Sequence, residues 1–161
     1  MHCDPRRLYI FGIESIWSKL LRQESILEDS AVSRCNILVV DDDELVSEYL
    51  GALLESENYH VTVLNEPVAA LKYFKEHVDD FDLIITDQVM PGLTGVEIAQ
   101  SILELRPSIP ILLITGYSQK INAENAESYG LSGFFSKPIN ENLFLDKISH
   151  LVAYSKPVFC S

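Results

Sequence analysis

Ile37-Leu-Val-Val40, followed at once by Asp41, Asp42 and Asp43, is the stretch on which the fold turns. Four consecutive branched apolar residues with no polar partner face suit a strand covered on both sides, which is the environment of a parallel sheet. The acids come where such a strand would end. Leu45, Leu50, Leu53 and Leu54 then recur at helical spacing, and His60-Val-Thr-Val-Leu64 reads as a second, shorter strand. Pro67 suits the first turn of a helix, ahead of Ala69 to Phe74.

The same alternation continues to the end of the chain. Leu83-Ile-Ile85 leads into Thr86 and Asp87, and Pro91, Gly92 and Gly95 mark a loop before a helical stretch from Val96 to Leu105. Pro110 opens Ile111-Leu-Leu-Ile114, which ends at Thr115 and Gly116; a polar helix is expected around Asn122 to Tyr129. Gly133-Phe-Phe135 is the last short strand, and after Ser136, Lys137 and Pro138 comes Asn140, a suitable cap for a helix containing Leu143, Phe144, Ile148, Leu151 and Val152. About five βα units in ~120 residues predict an α/β protein, a flavodoxin-like doubly wound five-stranded parallel sheet with strand order 2-1-3-4-5.

Sheets of this kind bind ligands at the carboxyl ends of their strands. Asp41 and Asp42, Asp87, Thr115 and Lys137 stand at the ends of strands one, three, four and five. Three carboxylates in one crevice repel each other, and a divalent cation relieves that conflict. Mg²⁺ takes oxygen ligands, commonly one or two carboxylates plus waters and a phosphate oxygen, so Asp42 and Asp87 are expected as direct ligands with Asp41 holding waters or orienting its neighbour. A carboxylate can also attack phosphorus to form an aspartyl phosphate if the charge on the transferring group is neutralised. Lys137 supplies that charge, Thr115 a hydroxyl donor, and Gly116 room for the incoming group. Taken singly, each residue has a plain structural role: Asp41 to Glu44 could be only an acidic start to a helix, and Lys137 a solvated side chain. Their joint placement carries the signal.

Ile37 to Glu44 (ILVVDDDE), Asp82 to Gly95 (DLIITDQVMPGLTG), Ile114 to Gly116 (ITG) and Phe134 to Pro138 (FFSKP) together resemble response regulator receiver domains over residues 36 to 153. The resemblance implies that Asp87 is phosphorylated, that Asp41 and Asp42 form the acidic pocket, and that Lys137 contacts the phosphoryl group. It further implies a metal ligand from the backbone carbonyl of Val89, a switch hydroxyl in Thr115, and in Phe134 an aromatic that turns inward. In the family that rotation alters the face of the fourth helix, fifth strand and fifth helix. Phe134 is otherwise a plain core residue beside Phe135. Two positions depart from the commonest pattern: Asp43 adds a third acid, expected to cap a helix, and Tyr117 puts a bulky ring near the site entrance. The wording of 86 to 95 and 115 to 118 also resembles receivers at the carboxyl end of hybrid sensor kinases. The implied donor is a histidine kinase or a histidine phosphotransfer protein.

Composition agrees with this reading. The chain has 161 residues, 47% of them hydrophobic, which suits one domain with a real core. The expected division is an extension over 1–34 with a possible amphipathic helix (Ile13, Ile16, Trp17, Leu20, Leu21), the receiver domain over 35–154, and a short tail over 155–161. That tail is too short for an output domain, so a separate downstream protein is expected to read the signal. The net charge is -12; residues 1–34 carry five basic and five acidic side chains, the rest seven and nineteen, which argues against direct nucleic-acid binding. No apolar run is long enough for membrane insertion, and Arg6 and Arg7 precede no signal-peptide cleavage pattern, so the chain reads as cytoplasmic. Cys3, Cys35 and Cys160 lack paired spacing and read as free thiols; the four histidines have no catalytic setting.

Non-receiver alternatives are weaker. A phosphatase of the haloacid dehalogenase type wants a second acid two residues after its nucleophile, where Val89 stands. A flavin or nucleotide binder wants a Gly-rich loop after the first strand, where the acids stand. The chain is therefore expected not to be an enzyme.

Overall fold

A computed structural model describes residues 34–116 and 126–155. Its elements alternate as expected: β1 (Asn36–Val40), α1 (Glu44–Ser56), β2 (His60–Leu64), α2 (Pro67–Glu76), β3 (Leu83–Asp87), α3 (Gly95–Leu105), β4 (Ile111–Thr115), a 3-10 turn (Ala126–Tyr129), β5 (Gly133–Ser136) and α4 (Glu141–Ser155). The five strands form one sheet in the order β2-β1-β3-β4-β5, every neighbouring pair parallel. The flavodoxin-like expectation is met. Strands β1, β4 and β5 each run one residue beyond the apolar run that identifies them, and β3 two, because ladder hydrogen bonds continue through Asn36, Thr86, Asp87, Thr115 and Ser136 whatever their side chains.

Side chains alternate across the sheet and build two cores. Ile37, Val39, Leu83, Ile85, Leu112 and Ile114 pack with Leu50 and Leu54 of α1 and Phe144 and Ile148 of α4. Leu38, Val40, Ile84, Ile111 and Leu113 pack with Phe74 of α2 and Ile98 and Ile102 of α3. All five residues of β3 and of β4 are buried, and each strand opens on an unbroken apolar run before its polar end. Each fully buried Leu, Ile or Phe contributes roughly 1.5–3 kcal/mol to folding.

Helix starts follow the expected chemistry. Asp43 caps α1, its carboxylate accepting from the N–H groups of Leu45 and Val46. Pro67 opens α2, and Thr94 and Glu97 close a capping box at the start of α3. Asn140 Oδ1 accepts from Leu143 N at 3.2 Å, as a cap of α4 should. Of the polar helix expected around Asn122 to Tyr129, the described part is the 3-10 turn; the remainder, Tyr117, the amphipathic helix expected in 1–34 and most of the tail lie outside the described residues. No helix among the described residues is long and apolar enough to cross a membrane.

Candidate functional site

The buried polar side chains Asp41, Ser47, Thr86, Asp87 and Thr115 all stand at strand ends or, for Ser47, in the first turn of α1. They therefore gather at the carboxyl end of the sheet. A pocket of about 500 Å³ opens there, lined by Asp41, Asp42, Asp43, Asp87, Val89, Gly116 and Lys137. Five of the expected site residues thus share one cavity.

Strand parity decides which side chains meet. Asp41, Asp87 and Lys137 continue the alternation of Val39, Ile85 and Phe135, and they converge on the face shared with α1 and α4. Lys137 Nζ lies 2.9 Å from Asp41 Oδ2 and 2.7 Å from Asp87 Oδ1. The other oxygen of Asp87 accepts from the Val89 N–H at 2.6 Å, and Asp41 Oδ1 accepts from the Asp43 N–H at 2.9 Å. Asp87 is 6% exposed and Asp41 2%. The expected clash of three carboxylates is thus already relieved in part, because Lys137 sits between Asp41 and Asp87 while Asp42 faces solvent.

Electrostatics at the pocket follow from this arrangement. Burial raises the pKa of Asp41, against hydrogen bonds from Lys137 and the Asp43 N–H that lower it. Burial works the other way on Lys137 and would discharge it, but its hydrogen bonds to Asp87 and Asp41 outweigh that and hold its pKa above the ordinary lysine value. The ammonium therefore stays charged through the neutral range.

Thr115 and Phe134 belong to the other parity, with Leu113, which pairs in register with Phe134. Thr115 is not on the pocket wall. Its hydroxyl is buried with no hydrogen-bond partner among the described residues, a cost normally avoided in a finished core. Phe134 is half-buried and borders a separate groove with Leu131, Phe135 and Lys147.

The oxygen donors around the pocket, Asp41, Asp42, Asp87 and the backbone at Val89, suit a hard divalent cation in chemistry. No three acidic, His or Cys side chains among the described residues already stand together as a metal cluster, and Lys137 Nζ bridges Asp41 and Asp87. The donors fit such an ion, with Asp42 on the pocket wall and exposed.

Two positioning features carry little signal in the sequence. Gly95 opens α3 directly against the site, and a Cβ there would stand 2.2 Å from the carbonyl oxygen of Asp87. Gly95 reads from sequence only as a loop marker. Asn65, just past β2, donates to the carbonyl of Asp41 at 2.8 Å and to Ser47 Oγ at 2.7 Å. An Asn at a strand end is so ordinary that only the fold reveals what it holds.

The pattern is matched among known proteins. The response regulator receiver domain family matches residues 37–149. Transcriptional regulatory protein ZraR of Klebsiella oxytoca is 34% identical over 121 residues, covering 75% of this chain and 27% of that protein. A two-component response regulator of Arabidopsis thaliana is 27% identical over 136 residues, 84% of this chain and 24% of that protein. The chain spans 15 to 27% of the length of the curated relatives it matches. Among solved structures, a response regulator receiver domain protein of Clostridium thermocellum superposes with a TM-score of 0.70 at 27% identity, covering 74% of this chain and 95% of that one. A CheY-like receiver domain protein of Methanospirillum hungatei gives 0.70 at 27% identity, covering 76% and 97%. With five parallel strands in the same order and a family match over most of its length, the chain belongs to the response regulator receiver domain family.

Proposed function

We propose that this chain accepts a phosphoryl group on Asp87 in a two-component phosphorelay. The observation that carries the reading is the Asp87 carboxylate itself, nearly buried at the pocket, held between Lys137 Nζ and the Val89 N–H. A carboxylate so held is oriented toward an incoming phosphorus and cannot swing away. In the transfer, an Asp87 oxygen forms the O–P bond while the N–P bond of a phosphohistidine breaks, the electron pair returning to the imidazole.

Lys137 neutralises negative charge on the transferring oxygens and is already ionised for that task. Bound Mg²⁺, held by Asp42, Asp87 and the Val89 carbonyl with Asp41 behind them, would supply further charge neutralisation. The unpartnered hydroxyl of Thr115 is suited to donate to a phosphoryl oxygen, and its movement leaves space on the side of the sheet it shares with Phe134. That pair forms the proposed switch, by which phosphorylation changes a face read by a separate downstream protein.

Exposed apolar side chains support a protein as donor. Leu45, Val68, Val89 and Leu143 lie in the first turns or loop around the pocket, with Tyr49 one turn further along α1. A histidine kinase or histidine phosphotransfer protein would cover them while its phosphohistidine enters. The acidic balance supports no direct nucleic-acid contact, and the proposed setting is the cytoplasm, with 1–34 as an extension, 35–154 as the receiver and 155–161 as a tail. The proposed role is that of a signalling module with no turnover of its own.

The test is incubation of the full chain with a small phosphodonor and Mg²⁺, read by intact mass. One phosphate is expected on the wild type and none on Asp87→Asn. Equal uptake by both overturns the reading.

A further inference from the structure

Asp42 is the proposed cation ligand that nothing holds. Its side chain faces solvent and makes no hydrogen bond or ion pair among the described residues, unlike those of Asp41, Asp43 and Asp87. The direction in which its side chain leaves the chain is therefore set by the two peptides that flank it: the following one is held by the Asp43 N–H to Asp41 Oδ1 at 2.9 Å, and the preceding one joins Asp41 to Asp42.

That peptide is tied from the neighbouring strand. Asn65 follows β2 and directs both hydrogens of its side-chain amide into the loop after β1, one to the Asp41 carbonyl at 2.8 Å and one to Ser47 Oγ at 2.7 Å. The orientation of the amide is not interchangeable, since its oxygen turned toward the Asp41 carbonyl would set acceptor against acceptor. Ser47 is fully buried and passes its own hydroxyl hydrogen to the Glu44 carbonyl at 3.0 Å. Asn65 thus clamps the start of the acidic loop and the first turn of α1 together, while Asp43 caps that same turn.

We propose that Asn65 is a positioning residue for the divalent cation: it fixes the Asp41–Asp42 peptide so that Asp42, whose side chain no other group holds, stays on the pocket wall. The idea rests on the cation site proposed above. Asn65 does not touch the reacting atoms, so it acts on cation affinity and not on the transfer once the cation is bound. Releasing one of the two peptide hydrogen bonds that flank Asp42 widens the directions its side chain samples, and the expected loss is about three- to tenfold in affinity.

The experiment is calorimetric titration of the full chain with Mg²⁺ alone, comparing wild type, Asn65→Ala and Asn65→Ser, with phosphate uptake at saturating Mg²⁺ as a second readout. Asn65→Ala is expected to weaken Mg²⁺ binding three- to tenfold, about the range of one hydrogen bond, while uptake at saturating Mg²⁺ stays within about twofold of wild type. Asn65→Ser keeps one donor and is expected to fall between them; it also carries the test if the alanine variant does not fold. Wild-type affinity in a folded Asn65 variant overturns the positioning role and leaves the phospho-acceptor reading intact. Loss of uptake that saturating Mg²⁺ does not restore also overturns it, because that marks general damage to the site. A wild-type chain that binds no Mg²⁺ overturns both.

Discussion

The two ends of the sheet treat polar groups differently. At the amino end, Asn36 N donates to Asp82 Oδ2 at 2.8 Å, Asn36 Nδ2 to the Asp80 carbonyl at 2.7 Å, and Arg106 to the carbonyls of Val78 and Phe81. Each of these contacts ties a side chain to a backbone group. At the carboxyl end backbone bonds also occur, from Val89 N–H to Asp87 and from Asp43 N–H to Asp41, but there an ion-pair network is added: Lys137 meets two nearly buried carboxylates, Asp42 is unheld, and the Thr115 hydroxyl has no partner among the described residues. A polar group bonded to backbone alone serves architecture, whereas one also buried against an opposite charge, or left with no partner, is the kind that perturbed functional sites contain.

The difference can be broken most forcefully at Lys137. Replacing it with Ala is expected to slow phosphate uptake by about 100- to 1,000-fold, measured by intact mass over time. The same variant tests the charge state. Because the folded pKa of Lys137 is raised above the ordinary lysine value of 10.5, its ionic contribution to stability is fully present below that value and lost only as pH rises through the higher one. The difference in denaturation midpoint between wild type and Lys137→Ala should therefore stay level from neutral pH to about 10 and narrow beyond it. Narrowing near pH 8 would contradict the assignment.

Gly95→Ala should be next in size. The added Cβ meets the Asp87 carbonyl at 2.2 Å and Leu113 Cδ1 at 2.6 Å, and the backbone oxygen cannot yield cheaply. A loss of about 2–3 kcal/mol in urea unfolding is expected, with slower uptake because β3 and α3 separate at the site. Unchanged stability would mean that α3 is not seated on Asp87 as described.

Arg106→Ala probes the opposite end. Leaving two carbonyls unpaired should cost about 1–3 kcal/mol in the same assay, with phosphate uptake unchanged. A matching fall in uptake would erase the functional distinction between the two ends. The smallest effect is expected for Thr115→Val, which removes a hydroxyl that has no partner: stability should stay the same or rise by less than about 1 kcal/mol. A clear loss of stability would show that the hydroxyl already makes a bond.

Much of this was legible in the residues themselves. The unbroken apolar runs of β1, β3 and β4 announce strands covered on both faces, and Asp43, Pro67 and Asn140 announce helix starts, because these signals act within a few residues of chain. The acidic group, Asp87, Thr115 and Lys137 were legible as strand-end residues for the same reason. What they do to one another was not. Relief of the carboxylates by Lys137 depends on a contact across 96 positions of sequence, and no local pattern encodes such a distance. Asn65 and Gly95 stayed hidden because each meets a backbone carbonyl elsewhere in the chain, of Asp41 and of Asp87, and a carbonyl leaves no mark on residue identity.

The sequence by itself determined the alternation of strands and helices, the receiver-like order of the site residues and the acidic surface, since periodicity, capping and charge are properties of neighbouring residues. Only the tertiary structure decided that Asp41, Asp87 and Lys137 meet on one face while Thr115 and Phe134 lie on the other, and that Asp42 is left to its backbone. The reason is register. A strand's own alternation assigns each side chain to one of two faces, but which faces coincide depends on how five parallel strands align, as in Val40 beside Thr86 and Asp87 beside Ile114.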